Sequence, residues 1–439
     1  MKFTSLKSGV ATRATLFASV AAIGLAMPSA AFAQDADDEE VEDGVVDDNV
    51  ILVTASKRET TLQETPISVS VTSGETIERA EIRDLIDLQT VAPSLRVNQL
   101  QSSANTNFII RGFGNGANNA GIEPSVGVFI DGVYRSRSAA QIGDLANVQR
   151  IEVLRGPQST LFGKNASAGV ISVVTREPQF EFGGAVEVSY GNFDAKVLKA
   201  NVTGGLTETI AVSIDGNINK RDGYANIVNL GVDSNNRDRW AVRGQILFEP
   251  SSDFKLRVIG DYSSIDEICC FAGSVVAGPT TPAVFAVGGA VDPNNISSRN
   301  TFLNRAPLNQ IESYGASAQM DYQAGPFSLT SITSYREVTS LLESDVDYTS
   351  ADIVDNIIDQ KIETFTQEFR IASDFDGPFN FLLGGYYFNE SVAQDSQLIT
   401  GQDTRLFFEL LAGAPGTFAG VEAGLGLPAN SIFSPGLLT

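Results

Sequence analysis

Long segments of alternating apolar and polar residues fill the chain after Phe180. In each segment, apolar side chains stand at every second position, and polar or charged side chains lie between them. The alternation is clearest in Ile210–Ile218, Trp240–Phe248, Phe254–Tyr262 and Tyr314–Tyr322. Two further segments, Phe327–Arg336 and Phe379–Phe388, alternate less cleanly. A period of two predicts β-strands that present one apolar and one polar face.

The connections between these segments alternate in length. Short turns are expected at Leu206–Thr209, Pro250–Asp253, Gln323–Pro326 and Asp374–Pro378. Long connections are expected at Arg221–Asp238, Ser264–Gln310 and Val338–Ile362. Short turns at one end and long loops at the other are typical of outer-membrane barrels, whereas a soluble β-sandwich has no reason to sort its connections in this way. We therefore predict an antiparallel transmembrane β-barrel over residues 181–439.

About nine strands are visible before Asn389, and a barrel in lipid must close with no open edge. The tail Leu406–Thr439 is rich in Gly, Pro and Ala and lacks the pattern of a closing strand. We therefore expect a truncated chain, or closing strands that lie elsewhere.

The preceding region, residues 56–180, has a mixed α/β pattern. Ile67–Val71 alternates like a strand, and Gly74–Ala92 carries apolar residues at helical spacing before Pro93. Short apolar runs separated by Gly- and Asn-rich loops then predict strands at Phe108–Ile110, Val126–Ile130, Ile151–Leu154 and Val170–Val174. This region is predicted to be one small domain.

The first 33 residues have the features of a signal peptide. Three basic residues precede the short apolar stretch Leu16–Ala26, and Ala31–Ala33 forms a small-x-small cleavage signal. Mature protein would begin near Gln34, although an uncleaved anchor is the alternative. Residues 34–48 are strongly acidic and are predicted to form a disordered leash.

Composition narrows the function classes. The 439 residues include 53 acidic and 30 basic side chains, a net charge of −23, which makes nucleic acid a poor partner. The chain has no His, and no nucleophile–base pair is recognisable, so we predict no enzyme, no metal site and no cofactor. Export to an oxidising compartment favours a disulfide between Cys269 and Cys270, although free thiols or pairing with another chain remain open.

Three stretches resemble the TonB-dependent receptors of the outer membrane. Asn49–Ala55 resembles the TonB box, and Phe108–Gly114 with Val128–Tyr134 resembles the middle of the plug domain. The third stretch, Ile151–Thr175, is the most specific and is similar to the plug signature. The residues inside these motifs that we single out are Arg111, Gly112, Arg155, Gly156 and Gly163.

The resemblance implies a plug, residues 56–180, inside a barrel of about 22 strands. It also implies a TonB box at residues 49–55 and location in the outer membrane of a Gram-negative bacterium. The expected function is TonB-dependent active transport of a bulky, scarce solute, a ferric siderophore. The expected partners are periplasmic TonB, outer-membrane lipid and the solute. A binding or signalling receptor and a passive porin are the alternatives.

The resemblance assigns TonB binding to Asn49, Val50, Ile51, Leu52, Val53 and Thr54. An extended β-prone segment after a disordered leash can add as a strand to a partner's sheet edge, where main-chain hydrogen bonds bear the load. The alternative is that the segment forms the first strand of the plug itself.

Solute contacts are expected at the plug apices, by resemblance: Ser103, Asn105, Asn115, Asn118, Tyr134, Arg135 and Arg137. Arg binds anions in a fork and Tyr offers a flat face, which would suit an anionic or catecholate ligand; solvated loop residues are the alternative. A polar-surfaced plug is also expected to pair its cations with carboxylates of the inner barrel wall. The candidate cations are Arg111, Arg150, Arg155, Lys164 and Arg176, and the alternative is that they are ordinary surface charges.

Overall fold

The computed structural model describes residues 51–58, 60–116, 119, 121–144, 147–293, 297–433 and 436–438. The predicted signal peptide and leash lie outside these residues, as do Asn49 and Val50 of the predicted box. None of the helices in the described ranges is both long and apolar enough to cross a bilayer. The described chain from Ile51 onward forms one compact unit with a mixed α/β part and a large antiparallel sheet.

The first part covers the predicted plug, residues 56–180, and also the short strand Leu52–Val53 before it; we call this part the plug. Its described strands are β1 Leu52–Val53, β2 Thr60–Thr61, β3 Val69–Ser73, β4 Leu95–Gln99, β5 Thr106–Ile110, β6 Val126–Ile130, β7 Val133–Arg135, β8 Val148–Arg155 and β9 Gly169–Thr175. Its helices are α1 Gly74–Arg79, α2 Ser138–Gln141 and α3 Ser159–Phe162, with 3₁₀ turns at Asp87–Thr90 and Ser103–Asn105.

Five of these strands form the central plug sheet in the order β3-β8-β9-β6-β7. Only β6 and β9 run parallel among these pairs. Strands β8 and β9 bury apolar side chains on both of their faces because the sheet is covered on both sides: Ile151 and Leu154 of β8, and Val170 and Ile171 of β9, are fully buried. The predicted small α/β domain is therefore present.

The single helix predicted over Gly74–Ala92 is wrong. Helix α1 begins where Ser73 Oγ accepts a hydrogen bond from the Thr76 amide, and it ends at Arg79. Glu81 then adopts a positive φ of 53°, which breaks the helical path. The Asp84 carboxylate next accepts hydrogen bonds from the amides of Ile86 and Asp87, at 2.8 and 3.2 Å, and holds a turn instead of a helix.

The second part is the antiparallel sheet and its connections. The strands are β10 Gly183–Gly191, β11 Ala195–Gly205, β12 Ile210–Arg221, β13 Ala225–Ile227, β14 Val232–Ser234, β15 Arg237–Ser251, β16 Phe254–Ile268, β17 Asn300–Thr301, β18 Leu308–Ala324, β19 Phe327–Asp345, β20 Val354–Ser373, β21 Leu382–Thr400 and β22 Gly436–Leu438. The helices are α4 Thr281–Ala286, α5 Thr404–Leu411 and α6 Thr417–Leu425.

Nine long strands pair in the order β10-β11-β12-β15-β16-β18-β19-β20-β21, and we call them the wall. The short strand β22 pairs with β21 over Leu398–Thr400. The predicted number of long strands is confirmed within the described residues. The tail for which we predicted no strand contains α5, α6 and this short β22.

Alternation along the wall strands separates an apolar outer face from a polar inner face, as predicted. On β12, Ile214 is 58% exposed, whereas its neighbour Asp215 is 1% exposed. The outward residues Trp240 and Val242 on β15 are likewise exposed. An exposed apolar face beside a buried polar face is the reverse of a soluble protein and fits lipid outside and a polar plug inside.

Aromatic side chains form two rows on the wall. Tyr262 lies beside Trp240 and Tyr314, with ring centroids 4.9 and 6.3 Å apart. In the other row, Phe254 and Tyr322 have centroids 6.4 Å apart. Phe254 and Tyr262 lie eight positions apart on β16, or about 26 Å along a strand. With a strand tilt of about 40°, this length projects to about 20 Å along the membrane normal, which lies within an outer-membrane apolar band of about 25 Å.

The connections follow the predicted pattern except at Val338–Ile362, where the predicted long connection is wrong: β19 and β20 extend into this range and leave only residues 346–353 between them. Short turns join β15 to β16 at residues 252–253 and β18 to β19 at residues 325–326. At the opposite end, residues 269–307 connect β16 to β18 and include α4 and β17. Residues 222–236 connect β12 to β15 through the hairpin β13–β14. Short turns and long loops therefore lie at opposite ends of the wall. One exception is Asn192–Asp194, a short connection between β10 and β11 at the end that carries the long loops.

Candidate functional site: the contact between plug and wall

Arg239, on the inner face of the wall, binds carboxylates of the plug. Its guanidinium lies 3.1 Å from Asp84 and 3.4 Å from Asp144, and it is held from the other side by Glu267 of the wall at 2.6 Å. Arg239 is 1% exposed. Since a buried charge is costly unless it is paired, Arg239 fixes this edge of the plug against β15.

A second contact is made by the turn Asp131–Gly132 between β6 and β7. The Asp131 carboxylate lies 3.3 Å from Arg243 and 3.5 Å from Arg257. It also accepts hydrogen bonds from the amide and hydroxyl of Thr175. Burial alone would raise the pKa of Asp131, but Arg257, Arg243 and the Thr175 hydrogen bonds hold that pKa below its ordinary value. This carboxylate therefore stays ionised between the two parts.

The inward polar positions of β12 extend the contact. Asn217 and Asn219 donate hydrogen bonds to the Asp144 carboxylate at 3.1 and 3.0 Å. In the reverse direction, plug residue Asn147 donates to Asp215 at 2.5 Å. Burial raises the pKa of Asp144, and Arg239 offsets this only in part. Strand alternation thus supplies one face of a polar network between plug and wall.

The plug cations do not make the pairs considered in the sequence analysis. Arg150 pairs with Glu152 at 2.8 Å, Lys164 with Glu123 at 2.6 Å and Arg176 with Glu78 at 3.5 Å, all within the plug. Arg111 donates to Ser68, and Arg155 donates to the Val69 carbonyl. Within the described residues, none of the five cations pairs with a wall carboxylate. That prediction is wrong because acidic and polar groups of the plug itself lie closer to these cations than the wall carboxylates do.

The contact is also not wholly polar. Apolar side chains of four wall strands join the main plug core: Ile265, Ile311, Val338, Leu342 and Ile362. They pack with plug residues such as Ile110, Ala139 and Ile142. The plug therefore has an apolar attachment to the wall in addition to the ion pairs, which corrects the expectation of a purely polar surface.

The described part of the predicted TonB box is folded onto the plug. Strand β1 pairs with β2 over only two residue pairs, Leu52–Thr61 and Val53–Thr60. Ile51 and Leu52 are about half exposed, whereas Val53 is fully buried. The Thr54 amide donates to Glu152 on β8 at 3.0 Å. In this state the segment is a short first hairpin of the plug, which was the alternative considered.

Lys57, two residues after the predicted box, connects the plug to β20. Its ammonium lies 3.2 Å from Glu368 and 4.5 Å from the ring centroid of Phe162. Arg370 donates to the Lys57 carbonyl at 3.3 Å. Burial lowers the pKa of Lys57, and Glu368 opposes the shift. The chain that leaves the box is therefore held at the wall as well as at Glu152.

The predicted solute-binding residues fall in different environments. Asn115 is exposed and Asn105 is partly exposed, as an apex requires, whereas Asn118 lies outside the described residues. Ser103 is fully buried and accepts a hydrogen bond from wall residue Asn309 at 2.5 Å. Tyr134 is 4% exposed, in an apolar cluster of the plug. Ser103 and Tyr134 are thus not available at an open surface in this structure.

Arg137 and Arg135 also lie away from the open surface. The Arg137 guanidinium pairs with Glu390 of β21 at 2.6 Å and approaches Glu123 at 3.4 Å. Arg135 is 5% exposed and faces an internal cavity that wall residues also line. The structure therefore does not bring the six described residues of this predicted set into one solute site.

The motif residues occupy turns of the plug. Arg111 and Gly112 both have positive φ, and so do Gly156 and Gly163, at 91° and 78°. Positive φ is costly for most residues and free for glycine, which explains these glycines in the motif. Arg155, at the end of β8, donates to a backbone carbonyl of β3 and so holds the sheet edge.

The long connection after β16 touches the plug through its two cysteines. Cys269 and Cys270 form a disulfide with each other. The Gln99 side chain donates to both sulfur atoms, at 3.3 and 3.0 Å, and the Cys270 amide donates to the Gln101 carbonyl at 3.1 Å. This pair is the option that the sequence favoured among three.

A large polar space separates plug and wall on the side of the box. Its volume is about 1420 Å³, and it is lined by Thr54 and Lys57 of the plug and by Gln319, Asp321 and Arg370 of the wall, among others. The contact is thus tight around Arg239 and the apolar wall residues, and open beside the box.

Residues 61–170 match the family model of the TonB-dependent Receptor Plug Domain. An iron-regulated outer membrane virulence protein of Vibrio cholerae is 30% identical over 218 residues, which are 46% of this chain and 31% of that protein. The ferrioxamine B receptor of Salmonella typhimurium is 28% identical over 201 residues, 44% of this chain and 28% of that receptor. The chain spans less than a third of the length of these two relatives.

Solved structures agree on the fold. The ferric yersiniabactin uptake receptor of Yersinia pestis superposes with a TM-score of 0.66 at 19% identity, covering 76% of this chain and 50% of that one. The resemblance predicted from the three motifs is confirmed: the chain carries the plug domain of the TonB-dependent receptors and a sheet that resembles part of their barrel. The predicted location in the outer membrane of a Gram-negative bacterium is confirmed as well. The family is one of receptors and transporters rather than enzymes.

Sequence reasoning missed the three wall arginines that hold the plug. Arg239, Arg243 and Arg257 stand at inward positions of the neighbouring strands β15 and β16. Two features of the sequence could have indicated this contact: arginines on the polar faces of adjacent barrel strands, and acidic residues in the turns of the plug. Asp131 was visible within the second motif but received no role.

Proposed function

We propose that this protein carries out TonB-dependent active transport of a bulky, scarce solute, a ferric siderophore, across the outer membrane. The observation that supports this most is a folded plug bound to the inner face of a lipid-compatible wall. A porin has no need for a separate α/β domain with its own ion pairs to the wall. The space of about 1420 Å³ beside the box leaves room for that side of the plug to move.

The solute class is supported by the relatives. One is named a ferrioxamine B receptor, another an iron-regulated virulence protein, and a structural neighbour a ferric yersiniabactin uptake receptor. These names describe those proteins; two of them name a siderophore and one names regulation by iron, and on this basis we extend a ferric siderophore to this protein as its solute.

Energy would come from TonB, bound at Asn49–Thr54. The two-pair hairpin β1–β2 is short enough to open at small cost, because an isolated hairpin of this size is hardly stable by itself. Once released, the extended segment can add to a sheet edge of TonB through its main chain. A pull would then reach β8 through Thr54 and Glu152, and the wall through Lys57 and Glu368.

The test is uptake of ⁵⁵Fe-loaded ferrioxamine B and of a ferric catecholate by cells that carry the full gene. Leu52→Pro should abolish uptake because proline removes a main-chain donor and cannot pair as a strand. Leu52→Ala is the matched control and should retain uptake, since this side chain is half exposed and the main chain is unchanged. Unchanged uptake in Leu52→Pro would refute the box, and no uptake of either probe by wild-type cells would refute the solute class.

A further inference from the structure

A second, smaller cavity lies between the plug and the wall. Its volume is about 70 Å³, enough for a few water molecules or one small anion. Three guanidiniums line it, Arg135 of the plug with Arg243 and Arg336 of the wall. Three carboxylates also line it, Asp144, Asp215 and Asp261. Whether the cavity needs an additional negative charge depends on how these groups are already paired.

The carboxylates have partners of their own. Asp261 is held by both terminal nitrogens of Arg336, at 2.8 and 2.6 Å. Asp144 is bound by Arg239 and by Asn217 and Asn219. Asp215 accepts hydrogen bonds from Asn147 and Gln245.

Arg135 is the cation left over. Its side chain is nearly fully buried, at 5% exposure, and its Nε has no hydrogen-bond partner. Across the described residues, no carboxylate lies within ion-pair distance of the Arg135 guanidinium. Burial lowers the pKa of Arg135, but guanidinium starts so high that the group stays charged. The Nε of Arg336, on the same cavity, is also buried without a partner.

An unpaired buried charge is unfavourable unless an opposite charge joins it. The fork of donors on guanidinium suits an oxyanion such as phosphate, and two or three guanidiniums around one cavity are a common way to hold one. The volume of the cavity excludes a siderophore, so the ligand differs from the transported solute in size class.

We propose that Arg135, Arg243 and Arg336 form a binding site for one small anion, of the size of phosphate or chloride, which bridges the plug and the wall. The anion completes the pairing of Arg135 and adds to the attachment made by Asp131 and Arg239. The site does not depend on the identity of the transported solute.

The test is thermal unfolding of the full chain in detergent while phosphate replaces gluconate at constant ionic strength. A parallel series replaces gluconate with chloride, which distinguishes an oxyanion from a halide. Wild-type protein should show a saturable rise of its unfolding midpoint with one of the two anions, because a ligand that binds only the folded state stabilises it. Arg96→Gln removes an exposed guanidinium of β4 and should leave this rise unchanged.

Arg135→Met should abolish the rise. It should also reverse the order of stability, because Met fills a similar volume without a charge: the variant unfolds above wild type in gluconate and below it at saturating anion. Bromide-soaked crystals should show an anomalous peak between the three arginines in wild type and none in Arg135→Met. A rise of equal size in Arg135→Met, or no rise with either anion in wild type, would overturn the proposal in favour of a water-filled cavity.

Discussion

Asp131 is a single carboxylate on which two wall guanidiniums and one plug threonine converge. Its side chain is 5% exposed, so bulk water screens these contacts weakly. Arg243 and Arg257 come from neighbouring strands, and their positions are fixed by the register of β15 and β16. The carboxylate therefore joins the plug to a rigid part of the wall.

Asp131→Asn should lower the stability of the folded protein by about 3–5 kcal/mol, because it removes the buried carboxylate shared by Arg243 and Arg257, and among the described residues only Arg257 keeps a second carboxylate, Glu177 at 3.8 Å. The measurement is the midpoint of thermal or denaturant unfolding in detergent. Glu78→Gln is the control: it removes an exposed pair with Arg176 and should cost at most about 1 kcal/mol. Equal effects of the two variants would contradict a role for Asp131 in the attachment.

The contribution of Asp131 should depend on pH in a defined direction. Its folded pKa lies below the ordinary value of 3.8, so the stabilisation is complete above that value and is lost as the pH falls through the folded pKa. The stability difference between wild type and Asp131→Asn should stay constant from about pH 7 to 5 and shrink below about pH 4. A difference that disappears between pH 7 and 5 would exclude a depressed pKa.

At this scale the sequence predicted residue types better than their partners. The inward positions of Arg239 and Arg243 follow from strand alternation. Their pairing with Asp84, Asp144 and Asp131 depends on where the plug docks, and no local pattern encodes that. The same holds for the plug cations: Lys164 and Arg150 pair with Glu123 and Glu152 of the plug, and sequence spacing alone does not show that these carboxylates lie closer than those of the wall.

At the scale of elements, the β1–β2 hairpin is the least extensively paired hairpin of the plug. Two residue pairs hold it, while the neighbouring strands β8 and β9 are long and buried. Val53 and Ala55 anchor it in the apolar cluster with Phe129 and Phe162. In the proposed function this hairpin would open to free the segment for TonB, while the central sheet would remain paired.

A disulfide across this hairpin should block uptake. Leu52 and Thr61 stand directly opposite each other, so cysteines at both positions are within bonding reach. Uptake of ⁵⁵Fe-siderophore should fall to background in the oxidised double variant and return after mild reduction. The single variants and wild type, treated with the same reductant, control for reduction of Cys269–Cys270. Full uptake in the oxidised double variant would show that the hairpin need not open.

Element prediction succeeded where periodicity was long and failed where a side chain intervened. The wall strands repeat their pattern over many residues, so their register with lipid and lumen was predictable. The helix predicted after Ser73 stops early because the positive φ of Glu81 and the hydrogen bonds of Asp84 redirect the chain towards Arg239. Apolar spacing alone does not reveal such a tertiary constraint.

At the scale of the whole molecule, the plug is attached unevenly. Ion pairs at Arg239 and the apolar side chains of β16, β18, β19 and β20 hold one region against the wall. The region beside the box faces the polar space of about 1420 Å³. A pull at the box would therefore meet the least tightly packed part of the plug first, and the opposite region would remain attached.

The two aromatic rows and the sorted connections define an orientation that labelling in cells can test. Cysteine at Phe285, in α4 of a long connection, should react with a membrane-impermeant maleimide on intact cells. Cysteine at Ser252, in a short turn, should react only after the outer membrane is permeabilised.

A spin label at Val258, between the rows and 37% exposed, should be relaxed by oxygen rather than by a water-soluble nickel complex. The same label at Ile259, which points inward at 6% exposure, should respond to neither. If the spin labels at Val258 and Ile259 respond alike, the wall has no lipid-facing side. In the maleimide experiment, a Ser252 variant that reacts on intact cells while the Phe285 variant does not would mean that the orientation is reversed.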